Sequence, residues 1–169
     1  MTAVETVPTN LTAQQLGQLF QYTVEAYKTF QKFAENLPNP VARDLFKFFA
    51  IDERTNRDLL EMKVAATEGG RVRATLGPDL IFQELLEGEM SFRNSAEFLI
   101  GRERALQRRL RDYLGNATPA DRSLLVYLES CKRSHVVELE RELELIKNDP
   151  DWWKREDAEY RLVHGASPA

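Results

Sequence analysis

Several features are scarce in this 169-residue chain, and each scarcity narrows the class of protein. Cys131 is the only cysteine, which excludes a disulfide framework and favours a reducing cytoplasmic location. No apolar run approaches the roughly 18 residues of a membrane span, and the start MTAVETVPTN lacks the pattern of a secretory signal. Glycines and prolines number only 8 and 7, and strand-like alternation is brief. We therefore expect a soluble, helical, cytoplasmic protein without membrane contact.

The sequence also lacks a strong excess of either positive or negative charge. The 27 acidic and 23 basic residues leave a net charge of −4, which is too small to indicate a partner. The third predicted helix carries a group of arginines that could suggest phosphate binding: Arg102, Arg104, Arg108, Arg109 and Arg111. They are spread around the helix, and the fourth helix ends in glutamates. Ion pairing within the protein or between subunits explains them better, so we expect no nucleic-acid binding.

Apolar residues at three-and-four spacing predict four long helices. The first begins near Leu11, the second follows Pro38-Asn39-Pro40, the third begins near Ser91, and the fourth begins at Pro119 and ends before Pro150. Short turns make two antiparallel hairpins, and the stretch between them predicts a long crossover with a short apolar helix at residues 80–86. The predicted fold is an all-α, ferritin-like four-helix bundle of two antiparallel hairpins joined by that crossover.

The chain divides into one domain and a tail. We assign residues 1–149 to the bundle, with residues 1–10 as a loose arm, and residues 150–169 to an aromatic C-terminal tail. Trp152 and Trp153 are adjacent in this tail, and two tryptophans are costly to leave in water. They either cover the end of their own bundle or dock on a second subunit, and the sequence leaves both readings open.

Each apolar helix face is interrupted by polar residues near its middle. In chain order these are Thr23, Glu53 with Asn56, Glu103, and Lys132 with His135. Residues three apart in a helix lie one above the other, so each pair shares a face. Burying an isolated charge costs several kcal/mol. The charged members of this set therefore need either one another or a ligand.

These residues resemble the rubrerythrin-like branch of the ferritin-like superfamily. The likeness is clearest at Leu45–Arg54 (LFKFFAIDER), at Glu103, and at His135 with the valines that follow it. That family holds two iron or manganese ions with a Glu on each of the first and third helices and Glu-x-x-His on the second and fourth. The resemblance implies that three ligands are kept, Glu53, Glu103 and His135. It also implies that Thr23, Asn56 and Lys132 stand at substituted ligand positions.

The substitutions change the charge of such a site. A complete site balances four carboxylates against two divalent ions, whereas Glu53 and Glu103 here face Lys132 and a protonatable His135. An ammonium group does not ligate a metal, because ligands need free lone pairs. We interpret the site as depleted and replaced by a buried Glu/Lys/His cluster with no cofactor. The alternative is one residual iron, manganese or zinc ion on Glu53, Glu103 and His135, with Asn56 nearby.

Two functions from different classes follow. One is a non-enzymatic structural or interaction protein; the other is a metal-binding oxidoreductase or peroxide-handling protein with a non-standard site. Cys131 and His135, four residues apart, could form a Cys–His nucleophile, but no third orienting residue is evident. The pairing of bundles within the resembled family implies a homodimer. The sequence names no substrate, redox partner or protein partner.

Overall fold

The computed structural model describes residues 6–37, 39–67, 76–82, 92–151 and 162. Within these ranges the chain is all-helical and contains no strand, apart from an isolated bridge between Thr9 and Ala117. The elements are α1 (Ala13–Asn36), α2 (Pro40–Ala65), a short 3-10 turn (Pro78–Leu80), α3 (Phe92–Gly115) and α4 (Pro119–Asn148). The predicted all-α class and the four long helices are confirmed.

The helix starts are set by local side-chain chemistry. Thr12 caps α1 through a reciprocal pair of hydrogen bonds with Gln15, at 3.1 Å and 3.0 Å. Asn39 caps α2, and its side-chain oxygen accepts from the amides of the first turn. Pro40 and Pro119 each occupy a first helical position, where proline's missing amide proton costs nothing.

The four helices enclose one core. α1 packs along α2, and α3 packs along α4, and each pair is joined by a turn so short that its helices run antiparallel. The two pairs meet through side-chain contacts. Gln18 of α1 accepts from Arg109 of α3 at 3.3 Å, and Lys63 of α2 forms an ion pair with Asp121 of α4.

Apolar layers lie toward both ends of this core. Toward one end, Phe30, Phe33, Phe46 and Phe49 form an aromatic cluster with ring centroids 5.1–6.0 Å apart. Toward the other end, Leu16, Leu60, Leu110 and Leu125 are fully buried. The polar residues that interrupt the helix faces fall between these two layers. The polar residues are therefore bounded along the bundle axis by apolar side chains toward both ends.

Some predicted segments fall outside the described residues. These are most of the aromatic tail with Trp152 and Trp153, part of the predicted short helix, and the first five residues of the predicted arm. The described part of that arm is bonded to the bundle, because the Thr9 amide donates to the Asn116 carbonyl at 2.8 Å. Between α2 and α3, Leu80 and Phe82 are buried. None of the described helices has the length and apolar character needed to cross a membrane.

Asp121 of α4 contacts both α2 and the residues that precede α1, and its removal should destabilise the fold. Its buried carboxylate accepts from the Leu11 amide at 2.7 Å and pairs with Lys63. We expect Asp121→Ala to lower the free energy of unfolding by about 1–3 kcal/mol, because the Leu11 amide and Lys63 lose their buried acceptor. Urea unfolding followed by circular dichroism measures this. The matched variant at the exposed Asp112 should change it by less than about 0.5 kcal/mol.

The same carboxylate makes a pH-dependent contribution. Burial alone would raise the pKa of Asp121, but the hydrogen bonds from Lys63 and from the Leu11 amide outweigh it and lower the pKa. A lowered pKa means that the contribution is present at neutral pH and disappears only as pH falls below the ordinary aspartate range. A loss of stability in Asp121→Ala that persisted undiminished at very low pH would contradict this account.

Candidate functional site

Polar side chains from all four helices meet at the centre of the bundle. Tyr22 of α1, Glu53 of α2, Glu103 of α3, and Lys132 and His135 of α4 are each at most 1% exposed. These five residues are called the central cluster below. The structure thus brings together four of the residues singled out from the sequence and adds Tyr22. The helix repeat explains the grouping, since Lys132 and His135 are three residues apart and project from one face of α4.

Lys132 lies between the two buried glutamates. Its Nζ forms an ion pair with Glu53, lies 3.4 Å from the carboxylate of Glu103, and sits 5.1 Å from the centroid of the Tyr22 ring. Burial lowers the pKa of Lys132, because desolvation disfavours the ammonium form. The negative charge of Asp52 opposes this shift, and the pKa of Lys132 is lowered to about 7. The lysine side chain fills the space between the two glutamates.

His135 is held by carboxylates at both ring nitrogens. Nδ1 lies 2.6 Å from Glu103, and Nε2 lies 2.9 Å from Asp52. A neutral imidazole can donate at only one nitrogen, whereas an imidazolium donates at both. Burial alone would lower the pKa of His135, but its hydrogen bonds to Asp52, Cys131 and Glu103 outweigh burial and raise the pKa to about 10. The ring is therefore a cation at neutral pH.

Two contributors were missed by the sequence reasoning. The Tyr22 hydroxyl donates to Glu103 at 2.5 Å, and burial and Glu103 both raise the pKa of this tyrosine, which keeps it a donor. Asp52 is half-exposed and supplies the outer partner of His135. A signal for Tyr22 did exist, because a buried tyrosine hydroxyl usually needs a hydrogen-bond partner. Thr23, its neighbour, is buried but donates to the Leu19 carbonyl of its own helix at 2.8 Å.

Asn56 and Cys131 lie next to the central cluster, at the contact between α2 and α4. The buried Asn56 amide donates to the Cys131 sulfur at 3.4 Å, and that sulfur lies 3.7 Å from Nε2 of His135. Cys131 itself is only partly buried. Among the described residues, no hydrogen-bond partner reaches Oδ1 of Asn56 or Oε2 of Glu53.

Within the part of the chain that the structure describes, two groups of three residues have potential ligand atoms within 4.8 Å of one another. The inner group is Glu53, Glu103 and His135, and the outer group is Asp52, Cys131 and His135. The inner group does not fit two metal ions. Its two carboxylates are already bound to Lys132, and the imidazole nitrogen that faces them is bonded to Glu103. An ion placed there would have to displace a buried amine.

Comparisons with known proteins support the fold and nothing more specific. No protein-family model matches the chain, and no curated protein matches it. Among solved structures, a hypothetical protein from Pyrococcus furiosus is similar, with a TM-score of 0.67 and 17% sequence identity. The match covers 80% of this chain and 90% of that one. At this identity the similarity concerns the arrangement of the helices alone.

The protonation of His135 gives a direct test of the central cluster. We expect both ring nitrogens to carry protons throughout the neutral range, with a titration midpoint near pH 10. Long-range ¹H–¹⁵N NMR of the imidazole measures this. Asp52→Asn should lower the midpoint, because it removes the charge beside Nε2. The other histidine of the chain, His164, gives a second set of imidazole signals, which a His164→Gln variant distinguishes from those of His135.

The raised pKa of His135 also determines how its contribution to the stability of the fold changes with pH. Because the folded-state pKa is raised, the His135 contribution is fully present below about pH 6.5 and is lost as pH rises through about 10. Lys132 acts in the opposite direction, since its pKa is lowered. The NMR titration isolates His135, whereas a stability curve combines the two residues. A midpoint near 6.5 for His135 would contradict the two-carboxylate geometry.

Proposed function

We propose that this protein is a ferritin-like bundle, similar to the rubrerythrin-like proteins, whose di-metal centre is replaced by a permanent ion cluster. Its role would be structural or interactive and non-enzymatic. The observation that carries this proposal is the position of Lys132, whose Nζ contacts both Glu53 and Glu103 in the sealed core. A cation supplied by the chain stands in the place that a metal cation would need.

The relative directions of the helices, which their side-chain contacts reveal, favour the ferritin-like arrangement. Between α1 and α3, Gln18 pairs with Arg109 and Tyr22 with Glu103, so residue numbers rise on one helix as they fall on the other. The same holds between α2 and α4, where Glu53 pairs with Lys132 and Lys63 with Asp121. These antiparallel contacts, together with the two hairpins, imply that α2 and α3 run in the same direction. A connection that returns along the bundle, as in ferritin-like folds, is then required.

Charge balance supports the absence of a catalytic metal pair. Glu53 and Glu103 carry two negative charges, and the Lys132 ammonium and the His135 imidazolium neutralise them without an external ion. A divalent cation bound between the glutamates would be balanced only if Lys132 and His135 both gave up their protons, because an uncompensated buried charge costs several kcal/mol. Iron or manganese would compete with bonds already made in the cluster, because Lys132 contacts both glutamates and the imidazole nitrogen that faces them is bonded to Glu103.

The proposal is tested by restoring the three substituted positions. We expect Thr23→Glu/Asn56→His/Lys132→Glu to bind two iron or manganese ions per chain, because it supplies the six-ligand set of the resembled family. Elemental analysis of protein purified from iron- and manganese-rich medium measures this, with circular dichroism to establish folding. The matched control is Thr23→Glu/Asn56→His, which retains Lys132 and should stay free of paired metals.

Two results would overturn the proposal. A triple variant that folds and holds no metal would show that these residues are not aligned with the family's ligands. Wild-type protein that holds two iron or manganese ions per chain would show that Lys132 does not block the site, and would favour the oxidoreductase alternative.

An interaction role needs a surface, and we propose that the outer face of α2 pairs with a second copy of the chain. Phe48, Ile51, Leu59 and Met62 are between 37% and 72% exposed on this face. They are spaced symmetrically around Thr55. In an antiparallel pair of α2 helices related by a two-fold axis at Thr55, Ile51 would meet the second copy's Leu59, and Phe48 would meet its Met62.

The charges beside this apolar row are self-complementary as well. Lys47, Arg54, Asp58 and Glu61 lie on one flank of the row by the helix repeat, with the basic residues first and the acidic residues last. In the antiparallel pair Arg54 would face Asp58 of the second copy, and Lys47 would face its Glu61. Their intrachain contacts are exposed and weak: Lys47–Asp44 at 3.5 Å and Asp58–Arg57 at 3.2 Å.

Charge reversal tests the dimer. We expect Arg54→Glu to weaken self-association at least about tenfold, because it places like charges together twice in a symmetric interface. Arg54→Glu/Asp58→Arg should restore the association. Sedimentation velocity over a concentration series measures both variants and the wild type. A monomeric wild type, or a double variant no better than the single one, would contradict this interface.

A further inference from the structure

One nitrogen of His135 points away from the closed centre of the bundle. Its Nδ1 is held inside by Glu103 at 2.6 Å, while Nε2 is directed toward the contact between α2 and α4, where Asp52 and Cys131 lie. Asp52 is half-exposed, and Cys131 is partly buried. An oxygen, a sulfur and a nitrogen therefore converge at a place that solvent reaches.

We infer that Asp52, Cys131 and His135 form a binding site for one divalent ion of the zinc class, distinct from the blocked central cluster. Their ligand atoms lie within 4.8 Å of one another. Zinc binds carboxylate oxygen, thiolate sulfur and imidazole nitrogen, and sites with three protein ligands leave the fourth position to water. The thiolate favours zinc over the harder ions that the family's carboxylate site holds.

The distances suit a tetrahedral ion after a small adjustment. Zinc–ligand bonds of about 2.0–2.3 Å require a nitrogen–sulfur edge of about 3.6 Å and a nitrogen–oxygen edge of about 3.4 Å. The structure has 3.7 Å between His135 and Cys131, and 2.9 Å between His135 and Asp52. The nitrogen–oxygen edge must lengthen by about 0.5 Å, and the half-exposed side chain of Asp52 can make that movement.

The surroundings of His135 already match those of a ligating histidine. Such histidines usually donate their second N–H to a carboxylate, which fixes the ring and raises its basicity. Here Glu103 receives Nδ1–H, and the Tyr22 hydroxyl holds Glu103 in turn. Asn56 supports the site from the buried side, since its amide donates to the Cys131 sulfur at 3.4 Å.

Binding would leave the charge of the region unchanged. A divalent ion brings two positive charges, and two protons leave, one from Nε2 of His135 and one from the Cys131 thiol. Asp52, Glu53, Glu103 and Lys132 keep their charges. The ion–imidazole and ion–thiolate bonds form as the N–H and S–H bonds break, with no change of oxidation state. The buried Lys132 ammonium therefore faces no additional net charge.

Cobalt and zinc titrations of the full, reduced, chelator-treated protein test this site. We expect one Co²⁺ per chain, with a near-ultraviolet thiolate-to-cobalt absorption band, and displacement of the cobalt by Zn²⁺. Cys131→Ser should abolish the band. Asp52→Asn should weaken binding by more than the roughly 10-fold that losing a ligand's hydrogen-bond partner costs. Asp44→Asn, at another partly exposed acid on α2, is the matched control and should bind like the wild type.

Three results would overturn the inference: no binding of either ion, bound cobalt without the thiolate band, or affinity unchanged in Cys131→Ser. Bound cobalt without the band, if it disappears in Glu53→Gln, would assign the ion to Glu53, Glu103 and His135 instead. The outcome is separable from that of the proposed function, which concerns two ions in the centre and survives either result here.

Discussion

The structure depends on an amine held between two carboxylates at the buried centre of the bundle. Lys132, Glu53 and Glu103 are almost completely buried, and breaking such a group by removing one partner typically costs about 3–5 kcal/mol. Tyr22 and His135 complete the hydrogen bonding of Glu103. Because these side chains come from all four helices, the cluster joins both hairpins at their midpoint. A buried charge that would destabilise the fold if it were unpaired therefore fixes how the two hairpins face each other.

His135 connects this sealed centre to the surface of the protein. Its inner nitrogen belongs to the cluster, and its outer nitrogen meets Asp52, which is half-exposed. The cation at His135 is stabilised from both sides, which explains why burial does not neutralise it. Conditions at the surface of α2 and α4 can thus alter the charge of the centre through one ring. The same ring gives the outer group its geometry, since Glu103 fixes its orientation.

Much of the fold and part of the site could be predicted from the sequence, because both are governed by the helix repeat. The apolar faces define four helices, and residues that interrupt those faces at equal depth must meet in the core, as Glu53, Glu103, Lys132 and His135 do. Asp52 was missed because it lies on the border of the buried face of α2, where periodicity does not distinguish a partner from a solvated acid. Tyr22 was missed because its ring counts as apolar, whereas its hydroxyl makes the contact.

The three positions that we propose as substituted ligand positions, Thr23, Asn56 and Lys132, are coupled through the charge of the cluster. If Thr23 were a glutamate while Lys132 remained, three carboxylates would face two cations, and one negative charge would be left buried and unpaired. If Lys132 alone were a glutamate, three carboxylates would face only the His135 imidazolium. A histidine at position 56 would place a second imidazole ring beside the cluster, and without a metal ion to bind, that ring would not stabilise the fold. Each single reversion is therefore unfavourable, and only the combined change, with metal present, restores balance. The residues present also depend on one another. The ammonium of Lys132 is stabilised by the carboxylates of Glu53 and Glu103, and those two buried carboxylates are stabilised by the ammonium.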